Sequence, residues 1–73
     1  MEKIKLGVYR HYKGKEYRVL MEGVNDETRE PVIIYIPLYG EGEITVRKKS
    51  VFLDEVDEPE FNYKGPRFVF VKE

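Results

Sequence analysis

The stretch Tyr9-Arg10-His11-Tyr12-Lys13-Gly14-Lys15-Glu16-Tyr17 sets the only histidine of the chain among three tyrosines, three Lys/Arg and one acid. An imidazole with an ordinary pKa near ~6.5 is the natural general acid or base. A catalytic triad also needs a hydroxyl nucleophile and an orienting carboxylate within hydrogen-bond reach. The only serine, Ser50, reads as a helix cap, and neither Thr28 nor Thr45 has a sequence context that recommends it. A catalytic reading would have to pair His11 with Glu16 or Glu27. One histidine and no cysteine fall short of a zinc ligand set, and Asp54-Glu55-Val56-Asp57-Glu58-Pro59-Glu60 lacks the spacing and the glycine of a calcium loop. Lys13-Gly14-Lys15 and Gly40-Glu41-Gly42 precede no helix, so they read as turns and not as phosphate cradles. No metal and no cofactor are expected. What remains is a surface of rings and cations: Arg10, His11, Tyr12 and Lys13, joined by Arg47 if a second hairpin lies beside the first. Such surfaces bind peptides or RNA, because a ring supplies stacking area and a cation supplies orientation or phosphate contact.

The elements that position these residues read as strands. Val8 to His11 and Tyr17 to Val24 form a hairpin, with Tyr17, Val19 and Met21 on one face. If Tyr12-Lys13-Gly14 is a three-residue loop with Gly14 left-handed, Tyr9 faces Tyr17 and Arg10 faces Glu16. A two-residue loop would turn the core face over. The first register is preferred, and it leaves Arg10 and Arg18 pointing outward. Pro31-Val32-Ile33-Ile34-Tyr35-Ile36-Pro37 is an apolar run fenced by prolines and reads as an interior strand. Tyr39 to Glu43 makes a turn into Ile44-Thr45-Val46-Arg47, whose Ile44 and Val46 should point inward. Ser50 should cap one helical or 3₁₀ turn near residues 50–55 that carries Phe52 and Leu53 onto the core. Residues 57–66 read as an acidic loop, and Arg67 to Lys72 as the last strand, with Arg67 paired to Glu55 or Asp57. Four strands, a helical turn and a closing strand give a mainly β fold, a small five-stranded SH3-like barrel. In a barrel this small Tyr9, Tyr17 and Tyr35 pack in the core, leaving Tyr12, Tyr39 and Tyr63 free.

With 73 residues, the expectation is a single domain spanning 1–73, because so short a chain cannot bury two cores. The absence of cysteine fits a reducing cytoplasmic location, and no apolar run is long enough to cross a bilayer. Charged residues make up 37%, against ~25% in an ordinary domain. Residues 1–20 hold six Lys/Arg against two acids, residues 21–46 hold one against six, and residues 47–73 hold six of each, for a net charge of −1. A general polyanion binder is excluded by that balance; a local basic face is not.

Gly7-x-Tyr9-Arg10-His11-Tyr12-Lys13-Gly14-x-x-Tyr17-x-Val19, followed by Glu27-Thr28, Tyr35, Leu38-Tyr39-Gly40, Val46-Arg47, Phe52 and Pro66-Arg67-Phe68, resembles the small bacterial family named domain of unknown function 1653. The resemblance runs nearly end to end. It departs from the usual wording at Asn25-Asp26 and at Thr45 and Lys48. It implies one compact domain and supplies no reaction, cofactor or partner. Three functions therefore stand open. The first is a non-enzymatic module that binds a peptide or RNA segment through Arg10, His11, Tyr12, Lys13 and Arg47. The second is a small-molecule or catalytic domain using His11 with a carboxylate. The third is an accessory domain that associates through a strand edge, as a monomer or weak dimer.

Overall fold

The computed structural model describes residues 3–73. Strand β1 (Gly7–His11) turns into β2 (Glu16–Val24), then β3 (Pro31–Pro37) and β4 (Thr45–Lys48). Helix α1 (Lys49–Phe52) follows, then a hairpin of β5 (Glu55–Glu58) and β6 (Tyr63–Pro66) around a 3₁₀ turn at Pro59–Phe61, and finally β7 (Phe68–Lys72). The fold is mainly β. Its main sheet is antiparallel in the order β4-β3-β2-β1-β7, with β5-β6 a separate pair. No helix among the described residues is long and apolar enough to cross a membrane.

Gly14 sets the register of the first hairpin. With φ at 102° it closes the loop Tyr12-Lys13-Gly14, the His11 amide donates to Lys15 O at 2.8 Å, and Tyr9 faces Tyr17 while Arg10 faces Glu16. The proline-fenced run is β3, an interior strand paired with β2 on one side and β4 on the other. The core lies on one face of the sheet: Tyr9, Val19, Ile33, Tyr35 and Phe68, closed over by Phe52 from α1. Phe52 is 1% exposed and stacks on Phe68 with ring centroids 4.1 Å apart and planes 6° apart.

Several expectations need correction. The five expected strands are all present, but they make an open sheet and not a closed barrel. The edge strands β4 and β7 share no ladder, and Phe52 packs on Tyr35 of β3, Tyr9 of β1 and Phe68 of β7. The sheet curls around that side chain in place of hydrogen-bonded closure. The stretch 57–66 is no loop: cross-strand pairs Asp57–Lys64 and Glu58–Tyr63 build β5-β6 around the turn former Asn62, whose φ is +50°. Helix α1 has Lys48 at its N-cap, so Ser50 lies inside it and caps nothing. Leu53 is left exposed beyond its end.

Two facing errors share one cause, the phase of alternation. A bulge between Val19 and Met21 turns the rest of β2 over, so Met21 lies opposite Ile34 on the outer face, and Val46 lies on the other side of Ile34. On β4 the register sets Thr45 against Tyr35 and Arg47 against Ile33. Arg47 thus shares the core face, while Ile44 and Val46 stand outside it, 66% and 59% exposed.

Candidate functional site

The first-hairpin loop and the β5-β6 hairpin meet at one end of the sheet. The Tyr12 amide donates to Arg67 O at 3.0 Å, which ties the loop to the entry of β7. A chain of rings then runs from core to surface. Phe68 meets His11 edge-on at 5.0 Å between centroids, His11 lies 4.3 Å from Tyr12, and Tyr12 stacks on Tyr63 at 5.8 Å with planes 13° apart. Phe61, 47% exposed, meets the edge of Tyr12 at 5.6 Å. The aromatic platform is therefore Tyr12, Phe61 and Tyr63, and Tyr63 is fixed by a hydrogen bond from its hydroxyl to Pro66 O.

Cations surround the rings. Lys13 Nζ lies 5.9 Å from both the Tyr12 and Phe61 ring centres, and Lys15 Nζ lies 4.9 Å from that of Tyr39. Arg47 reaches the same neighbourhood from β4: its guanidinium sits 5.8 Å from the Phe68 ring centre, and its Nε donates to the Tyr35 hydroxyl at 3.0 Å. Next door, the Tyr17 and Tyr39 hydroxyls are 2.7 Å apart. Burial and then that hydrogen bond push Tyr17 up to about 12.

The surroundings of His11 favour its neutral form. Its Nδ1 accepts the Lys13 amide at 3.2 Å, so the neutral ring carries its proton on Nε2. Burial lowers its pKa, and the charges of Arg47, Arg67 and Lys13 lower it further. Among the described residues no group of three His, Cys, Asp or Glu side chains is placed to hold a metal ion.

Of the five candidate residues, four gather: His11, Tyr12, Lys13 and Arg47. Arg10 points to the opposite face of the sheet, where it holds Glu16 at 2.8 Å. Glu16 is thereby committed elsewhere, and Glu27 takes part in a turn in which its amide donates to Asn25. Lys48 and Lys49, the next residues after Arg47, hold Glu30 and Glu22. Arg67 pairs with Asp54 at 3.6 Å, not with Glu55 or Asp57. Tyr39 and Tyr63 are engaged by other rings and hydroxyls and are not free. Phe61, Tyr63, Arg67 and Phe68 join the site without having been singled out for it; the run Phe61-Asn62-Tyr63-Lys64-Gly65-Pro66-Arg67-Phe68, with aromatics on both sides of a turn, is the signal that marks them.

The family model described as "Protein of unknown function (DUF1653)" matches residues 7–70. The chain belongs to this family. A crystal structure of a DUF1653 protein from Bordetella bronchiseptica is similar over 93% of this chain and 87% of that one, at 36% identity and a TM-score of 0.84. No curated protein matches the chain. In this DUF1653 chain the block Gly7 to Tyr17 divides cleanly. Gly7, Tyr9, Gly14 and Tyr17 serve turn, packing or close approach, and His11, Tyr12 and Lys13 reach the rim.

Proposed function

We propose that this DUF1653 domain is a non-catalytic binding module that holds a short extended peptide across the Tyr12–Phe61–Tyr63 platform, with Lys13 and Arg47 beside it. The observation that carries this reading is the convergence of three rings from two distant segments on one rim, over a His11 whose Nδ1 faces a backbone amide and no carboxylate. A base without an orienting acid is poorly equipped for proton transfer, whereas exposed rings beside cations recognise side chains and charged groups. A peptide suits the surroundings better than RNA. The adjoining hairpin carries Glu55, Asp57, Glu58 and Glu60 against Lys64, and this acidic flank repels a continuous polyphosphate while accepting a basic side chain. Beside Tyr63 lies a recess of about 300 Å³, lined by Asp57, Pro59, Asn62 and Lys64, that offers room for one.

Selection of a random twelve-residue peptide library on the purified domain tests this. The wild type should enrich a shared motif, and the Tyr12→Ala, Tyr63→Ala pair, folded by its amide spectrum, should not. Equal enrichment by both proteins would defeat the reading. Tight, steeply salt-dependent binding of a uridine oligomer would favour RNA in its place.

Self-association is a second reading, favoured by one observation: β4, an edge strand among the described residues, carries exposed Val46 with exposed Ile44 just before it, in line with Ile34 and Met21. Sedimentation at two concentrations should then show a dimer that Val46→Lys dissolves.

A further inference from the structure

Arg47, Arg67, Tyr35 and His11 carry donors that the described residues leave partly unused. Arg47 spends its Nε on the Tyr35 hydroxyl, and among the described residues no carboxylate pairs with its guanidinium. Tyr35, 2% exposed, accepts that bond and so keeps its own proton to give, with no acceptor among the described residues. Arg67 Nε is buried, with no hydrogen-bond partner among the described residues. Asp54 lies 3.6 Å from the Arg67 terminal nitrogen, near enough to offset part of its charge and too far to accept a hydrogen bond. His11, with Nδ1 already accepting, presents Nε2–H. Surplus donors at a half-buried spot, each costly to leave unmade, are the complement of an acceptor-rich anion.

We propose that Arg47, Arg67 and the His11 Nε2–H form a subsite for a single oxyanion group, a carboxylate or a phosphate monoester. Phe68 is its floor, since the Arg47 guanidinium and the His11 ring both lie against that ring. Two guanidinia can grip two oxygens of one such group, which a lone lysine cannot do. The carrier of the anion rests on the peptide-binding reading; the subsite itself does not. A peptide anchored by one acidic group here and one basic side chain against the β5-β6 flank would be read in a single orientation.

The experiment titrates inorganic phosphate, and separately acetate, into isotope-labelled protein at constant ionic strength. It follows the His11 ring and the Nε signals of Arg47 and Arg67. Saturable shifts at all three are expected, together with a rise in the His11 pKa on saturation, because a bound anion favours the imidazolium. Phosphate alone saturating points to a phosphorylated residue, and both anions saturating point to a carboxylate. Arg47→Gln should weaken the response at least tenfold, and Arg18→Gln, at an exposed position on the other face of the sheet, should leave it intact. If Arg47→Gln fails to fold, Arg47→Lys, which keeps the charge and loses the fork, should weaken it several-fold. Linear shifts no larger than chloride produces, or equal affinity in the Arg47 and Arg18 variants, would overturn the proposal. Such a failure leaves the peptide selection on Tyr12 and Tyr63 standing, so the two ideas fail separately.

Discussion

Burial, with Arg47, Arg67 and Lys13 nearby, pushes the His11 imidazole toward its neutral form, and for a base the sign of that shift fixes how stability follows pH. The unfolded chain takes up the proton near ~6.5 while the folded chain resists it. The contribution is therefore complete above that value and is lost as pH falls through it toward the lower folded pKa. Denaturant midpoints measured at pH 7.5 and 5.5 should drop for the wild type, and His11→Gln should flatten that part of the slope. Glu22 acts further down the scale. It accepts the Ile4 amide at 2.6 Å and Lys49 Nζ at 2.9 Å, which hold its pKa low, so its share survives until more acid conditions. Tyr17 gives a third residue-level expectation. Tyr39→Phe removes its hydroxyl partner, and the ionisation now held up to about 12 should move down, as read from phenolate absorbance.

At the scale of elements, two glycines of the first hairpin do different work. Gly14, at φ 102°, has nothing within 4 Å of where a Cβ would stand, so Gly14→Ala carries only the backbone penalty, about 1 kcal/mol. Gly7, at φ 143°, meets the Lys72 carbonyl oxygen and the Glu73 Cα where β1 passes β7. Gly7→Ala adds collision with backbone to strain and should lose at least ~2 kcal/mol. Chemical denaturation of the two variants side by side checks the order. The same hairpin was legible from its residues, because a glycine at a fixed offset and two favourable cross-strand pairs agree on one register. The core tyrosines Tyr9 and Tyr35 were legible as favoured strand residues of a domain too small to leave them outside. The placement of Arg47 was not. In Ile44-Thr45-Val46-Arg47 the apolar alternation argues for the opposite face, and only the ladder with β3, fixed by residues ten or more positions away, sets Arg47 inward. The bulge that turns Met21 outward leaves no local mark either. The β5-β6 hairpin was hidden by its acids, which suggest a solvated loop until Asp57 is seen opposite Lys64.

For the whole molecule, one side chain closes the core. Phe52 comes from a helix of four residues that has no side-chain cap, yet it is buried against rings from three strands. Phe52→Ala should cost about 3–5 kcal/mol. That is a large share of the ~5 kcal/mol at the low end for natural domains, and thermal melting should show a broad transition or none. Because Phe52, Phe68, His11, Tyr12 and Tyr63 form an unbroken series, the platform at the rim and the packing beneath it share members. The consequence is optical. With six tyrosines and no tryptophan, near-ultraviolet dichroism of this chain comes from phenol and phenyl rings alone, and the stacked Tyr12–Tyr63 pair couples two of those transitions. A peptide settling on that pair should change the spectrum without any label, and the Tyr63→Phe protein supplies the blank.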